Sequence, residues 1–168
     1  FVFEYFKHAP PRVSLEFKCF SFFFFIESKP LKVYSKNFPS KAITTITASD
    51  NLGIKMNQVE QFTAIEPGLT GEVGTVSFNS VLRPCHFWRV VGSLLYLKSY
   101  TDAVNTTAFS KDATFRLHRD KWFSGYMAYE ASGQENYFLR HHYSTMKLHP
   151  YTDSTLYRND ASFSWQII

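Results

Sequence analysis

The stretch NYFLRHHYSTMKLHPYTDSTLYRNDASF, residues 136–163, decides the fold. It ends in Asn159-Asp160-Ala161-Ser162-Phe163, and Lys111-Asp112-Ala113-Thr114-Phe115 nearly repeats that ending. Walking backwards from both copies extends the likeness. Phe87-Trp88-Arg89 stands nine residues after Phe78, and Phe138-Leu139-Arg140 nine after Tyr129. Leu95-Tyr96-Leu97 then matches Met146-Lys147-Leu148. A fainter copy lies upstream: Val33-Tyr34-Ser35, Ile43, Ile54-Lys55-Met56, and Phe62 in the place of the closing phenylalanine. Anchored on Tyr34, Phe78 and Tyr129, the copies are 44 and 51 residues apart. Self-similarity at such a period marks an architecture of repeated supersecondary units.

Each unit reads as four short strands, in the third about 125–131, 137–142, 145–149 and 161–168. Period-two alternation in Tyr126-Met127-Ala128-Tyr129 and Met146-Lys147-Leu148 supports strands. Gly, Pro, Asn, Asp and Ser cluster between the runs, as turns require. No amphipathic helix of useful length stands out in 31–168. The chain is therefore expected to be all-β: a β-trefoil of three four-stranded pseudo-repeats, at about 31–70, 74–122 and 125–168. A solenoid stacks more units and needs caps, and a seven-stranded sandwich shows no threefold echo. The aromatics at equivalent places then fill the barrel and its cap.

Composition agrees with one compact domain. The 168 residues suffice for a core, and 18% are aromatic, so there is apolar surface to bury. The net charge of +4 is mild and its basic residues are scattered, which argues against a nucleic-acid stripe. Residues 1–30 differ from the rest. They form a Phe-rich N-terminal segment, irregular in pattern, whose Phe20–Ile26 run is far too short to span a bilayer. The segment reads either as a signal-like h-region behind Arg12 and Lys18 or as poorly defined sequence attached to the domain. The first residue is Phe1, not Met, which fits a fragment or a processed form. Cys19 and Cys85 have no metal spacing; one disulfide and two buried thiols both remain open. No cofactor or metal is expected. Asn105-Thr106-Thr107 is an N-glycosylation sequon, meaningful in a secreted chain.

The strings Tyr137-Phe138-Leu139-Arg140-His141, then Met146-Lys147-Leu148, then Leu156-Tyr157-Arg158-Asn159-Asp160-Ala161-Ser162-Phe163 resemble a known pattern. It is that of the arabinose-binding β-trefoil domain of fungal α-L-arabinofuranosidase B, carbohydrate-binding module family 42. Asn37-Phe38-Pro39 resembles the family's N-F-P near the first hairpin. The likeness is strong in the third unit, moderate in the second and weak in the first. It implies a carbohydrate-binding module for arabinofuranose side chains, extracellular and part of a larger glycosidase or other protein. It also implies a pocket that uses the R-H histidine and the D-A-[ST]-F aspartate. Only the third unit has both, His141 and Asp160. The second keeps Asp112 but has Val90 for the histidine, and the first has Thr45 there and lacks the aspartate segment.

That chemistry suits a neutral furanose. A carboxylate accepts hydroxyl donors in strong charge-assisted bonds, an imidazole donates or accepts, and an aromatic wall covers the C–H face. Tyr143, Tyr137 and Tyr157 are the candidate walls. Tyr143 is favoured because it lies two residues past His141, on the same face if the strand continues. Arg140 alternates to the opposite face and is expected to pair with a carboxylate. Asp160 could instead serve only to hold a turn, as the recurrence of Asp112 suggests. No second carboxylate belongs with Asp160 as glycoside hydrolysis would need, so a binding module without catalysis is expected. The rival reading is a protein-interaction β-trefoil with degenerate sugar pockets.

Overall fold

The computed structural model describes residues 29–168. The Phe-rich run and Cys19 lie outside them. Twelve strands follow one another as β1 (Leu31–Ser35), β2 (Lys41–Thr45), β3 (Leu52–Met56), β4 (Phe62–Ile65), β5 (Thr75–Ser80), β6 (His86–Val91), β7 (Leu94–Ser99), β8 (Phe115–Arg119), β9 (Met127–Ala131), β10 (Tyr137–His142), β11 (Thr145–Pro150) and β12 (Phe163–Ile167). The first and last strands of each unit of four close a barrel. Going round it, β1 pairs with β4, β4 with β5, β5 with β8, β8 with β9, β9 with β12, and β12 with β1. Closure leaves the barrel no free edge. The middle strands form three hairpins, β2–β3, β6–β7 and β10–β11. These meet one another through Gly53↔Thr145, Leu94↔Lys147 and Asn51↔Tyr96, a triangle over one barrel end. This is the expected β-trefoil.

Register corrects the reading of the first unit. Leu31 pairs with Phe62, Val76 with Phe115, and Met127 with Phe163. Counting on two residues makes Val33 the counterpart of Phe78 and Tyr129. All three are fully buried, whereas Tyr34 faces the other side and is half-buried. A slip of one residue moves a strand's whole set of side chains to the opposite face. The barrel core sets an aromatic cluster among aliphatic side chains. Phe78 stacks on Trp88 at 4.0 Å and meets Tyr129 edge-on, and Tyr129 stacks on Phe163. The Trp165 indole N–H donates to the Tyr129 hydroxyl at 2.5 Å, whereas the buried Trp88 indole N–H has no hydrogen-bond partner among the described residues.

Two short helices, α1 (Thr106–Asp112) and α2 (Thr155–Asp160), were not expected. At seven and six residues they are too short to show a helical hydrophobic period. They explain the repeated pentapeptide. Asp112 and Asp160 are the last helical residues, and Ala113 and Ala161 are fully buried C-caps. The hydroxyls of Thr114 and Ser162 each donate back to a carbonyl four residues earlier, both at 2.7 Å. Phe115 and Phe163 then enter the barrel core. The motif is a helix-to-strand joint that delivers a carboxylate to a fixed place. Among the described residues no helix is long and apolar enough to cross a membrane.

Candidate functional site

The joint at α2 delivers Asp160 beside the hairpin β10–β11. Its carboxylate is buried, and side chains rather than a turn's backbone N–H groups hold it. Arg140 Nη2 donates to Oδ2 at 2.5 Å, and Asn37 Nδ2 donates to Oδ1 at 2.7 Å. Arg140, expected to find a carboxylate on the far face, finds Asp160 itself. His141 Nε2 comes to 3.3 Å of Asp160 Oδ1. That is ion-pair distance, but the geometry makes no hydrogen bond, and Nε2 is left without a hydrogen-bond partner. Only 4% of His141 is exposed. Burial pushes its pKa down, the Asp160 carboxylate opposes this, and Arg140, Lys41 and His142 reinforce it. At neutral pH the ring is therefore neutral and serves as one donor and one acceptor.

Phe38 supplies the apolar wall. Its ring centroid lies 5.4 Å from that of His141, at a tilt of 58°. Phe38 and Asn37 come from the β1–β2 loop, so the third unit's site is completed by the first. The loop is fastened there by the Lys36 amide on the Ser162 carbonyl and by the Lys36 ammonium on Asn159 Oδ1, both at 2.9 Å. Together these groups line a cleft of about 320 Å³ that also includes Tyr143, Ser144 and Leu156 at its rim.

The tyrosines divide. Tyr143 lines the cleft, but not by strand alternation: β10 ends at His142, and Tyr143 sits in the hairpin turn with φ of 49°. It is 90% exposed, with its ring against His142. Tyr137 starts β10 at the far end, opposite Pro150, and is not part of the cleft. Tyr157 is buried and not a wall either. Its hydroxyl donates to the His149 carbonyl at 2.8 Å, and the Arg140 guanidinium lies 4.9 Å over its ring. Burial raises the Tyr157 pKa to about 12 despite Arg140, so it stays protonated and fixes the pair from below. Phe38 and Asn37 were missed as site residues. Nothing in the sequence ties their N-F-P string to Asp160, 123 residues away from Asn37.

Asp112 lies at the corresponding place of the second unit, in a separate cavity of about 400 Å³. Arg89 donates to its Oδ2 through Nε and Nη2, at 3.2 and 2.9 Å. The arginine–aspartate pair thus recurs, but Val90 stands where the imidazole would be. At the first unit's seam the ground is taken by Arg83, from the β5–β6 loop of the second unit. It reaches Glu60 at 3.2 Å and Asp50 at 2.6 Å, and Glu60 also accepts from the Thr45 amide.

The sequence profile of the alpha-L-arabinofuranosidase B (ABFB) domain matches residues 32–165. Among curated proteins, the otogelin-like protein of Mus musculus is 31% identical over 137 residues, 79% of this chain but 6% of that protein. The otogelin-like protein of Homo sapiens is 32% identical over 104 residues, 60% of this chain and 4% of that protein. The chain thus spans only a small part of the relatives it matches. Among solved structures, an arabinofuranosidase complexed with arabinofuranosyl-alpha-1,2-xylobiose superposes with a TM-score of 0.69 at 18% identity, covering 85% of this chain and 32% of that one. A BEL beta-trefoil superposes at 0.64 and 10% identity, covering 85% of this chain and 95% of the other. These two likenesses establish the fold. With the profile match running nearly from end to end of the barrel, the chain belongs to the alpha-L-arabinofuranosidase B domain family and is a β-trefoil carbohydrate-binding module.

Proposed function

We propose that the third-unit cleft binds arabinofuranosyl groups of a glycan, and that this module does so outside the cell, without catalysis, as part of a larger protein. The observation that carries this reading is the juxtaposition of a buried imidazole and a buried carboxylate beneath an aromatic wall, at His141, Asp160 and Phe38. Arg140 and Asn37 hold the carboxylate still, so its remaining lone pairs meet sugar hydroxyls without reorganisation. The His141 Nε2, buried without a hydrogen-bond partner, gains one from the ligand. Phe38 covers the ring's C–H face. The arabinofuranosidase named among the similar structures supports the choice of sugar, as does the family's own description.

One shallow cleft binds weakly, at about millimolar Kd or ~4 kcal/mol. The test is a titration with a methyl arabinofuranoside followed by calorimetry or NMR. Wild type should bind, Asp160→Ala should not, and Asn37→Ala should bind several-fold more weakly while staying folded. If wild type ignores every furanoside while remaining folded, the sugar reading is wrong and a protein partner becomes the better explanation of the module.

A further inference from the structure

Asn105-Thr106-Thr107 is the only Asn-x-Ser/Thr sequon in the chain, and the sugar cleft makes no use of it. The structure places it in the second unit, where β7 gives way to α1. Asn105 is the N-cap of α1, with φ −125° and ψ 100°, and is exposed. Its Oδ1 accepts from the Ala108 amide at 2.9 Å. Among the described residues its Nδ2 makes no hydrogen bond. Val104 beside it is fully exposed and Thr107 is exposed, so open solvent surrounds the amide nitrogen.

This geometry separates the two ends of one side chain. The cap needs the oxygen, and N-glycosylation needs the nitrogen. A glycosylated asparagine keeps its carbonyl oxygen as an acceptor, so the modification leaves the cap intact. Ser154 holds the equivalent N-cap of α2 through its hydroxyl, and a hydroxyl offers no such nitrogen. Cys85 is disulfide-bonded, the state that an oxidising secretory compartment maintains.

We propose that Asn105 is an N-glycosylation site of this protein. In the transfer, Nδ2 bonds to the anomeric carbon of an oligosaccharide carried on a polyisoprenyl diphosphate. The anomeric C–O bond breaks, the lipid diphosphate leaves with the bonding pair, and Nδ2 gives up one proton. The glycan then stands at the start of α1, about 10 Å along the helix from Asp112. The proposal rests on the extracellular reading above, but not on sugar binding in the cleft.

The whole 168-residue chain is expressed behind a heterologous leader in animal cells and collected from the medium. Intact mass is read before and after peptide-N-glycosidase treatment, and the treated peptide is mapped. The expected result is a mass loss on treatment and conversion of Asn105 to Asp in the map. Thr107→Ala, which keeps the asparagine cap, and Asn105→Asp, which keeps an acceptor oxygen there, should both be secreted folded and without the glycan. Folded wild type in the medium with an unmodified Asn105 overturns the proposal. Because the leader forces entry, the site is tested whether or not the protein's own leader exports it. Furanoside titration of the same material tests the cleft separately, and a failure there leaves the glycan assignment standing.

Discussion

At the scale of single residues, His141 carries the most chemistry. It faces Asp160, Arg140, Lys41, His142 and the Phe38 ring, and burial, with Arg140, Lys41 and His142 acting in the same sense, outweighs the one carboxylate. Its folded pKa therefore lies below the 6.5 of an unhindered histidine. The unfolded chain takes up the proton first as pH falls, so the stability held above 6.5 is lost progressively as pH drops toward the folded value. His149 is depressed in the same sense by burial and by Arg140, His142 and Lys147, and adds to the slope. Urea unfolding from about pH 7.5 to about pH 5 should show the midpoint falling. His141→Asn should flatten that slope, and adding His149→Asn should flatten it further. A slope equal to wild type's in His141→Asn would mean that the ring is already solvated. Asp160 follows a different logic. Removing a carboxylate that pairs with a nearly buried arginine leaves a charge without its partner, at a cost of about 3–5 kcal/mol where burial is complete. Arg140 keeps 13% of its side chain exposed, so the expected cost is smaller, but Asp160→Ala must be checked for folding before its binding is read.

At the scale of elements, the hairpin triangle depends on close backbone approach at Gly53. A Cβ there would lie 2.2 Å from the Ser144 carbonyl oxygen, which already accepts from the Ile54 amide at 2.8 Å. Gly53→Ala must push β3 away from the β10–β11 turn, the turn that carries Tyr143 at the rim of the cleft. Overpacking of this kind costs about 1–3 kcal/mol, and a domain of this size loses about 2–4 °C in Tm per kcal/mol. Thermal unfolding should show a drop of several degrees, with furanoside affinity reduced as well because the turn moves. An unchanged Tm would show that the hairpins do not need this contact. The elements also show what sequence carries and what it loses. The strands of the second and third units were legible because buried residues recur at matching places, as Phe78 and Tyr129 do. The first unit lacks the closing pentapeptide, so nothing pinned its phase, and Tyr34 took the place of Val33. Helices α1 and α2 were hidden by brevity. In the site, His141 and Asp160 were legible as a motif. Tyr157 was misjudged because a buried tyrosine with a satisfied hydroxyl looks, in sequence, like one that could line a wall. Asn37 was beyond reach because barrel closure, through β1 and β12, is what brings it to Asp160.

At the scale of the molecule, that closure builds each site at a seam between units. The third unit's cleft borrows the β1–β2 loop of the first, and the second unit's cavity borrows Ala131, Gly133 and Gln134 from the third. Threefold pseudo-symmetry therefore repeats the place but not the chemistry. One seam holds an imidazole beside its aspartate, the next holds Val90, and the remaining one is occupied by the Arg83 side chain between Glu60 and Asp50. A furanose in the second cavity would meet Asp112, its Oδ2 held by the Arg89 fork, but no imidazole. Calorimetric titration with a simple arabinofuranoside should thus saturate at one ligand per chain. Asp112→Ala should leave that stoichiometry and affinity as they are, because its pair lies on the other seam. Joining two copies by a flexible linker should raise affinity for a densely arabinosylated polymer by ten-fold or more through effective concentration. The same linkage should leave affinity for the monomeric sugar unchanged. Two ligands per chain, or loss of binding in Asp112→Ala, would show that the valine seam also holds sugar and that the imidazole is not what makes a seam a site.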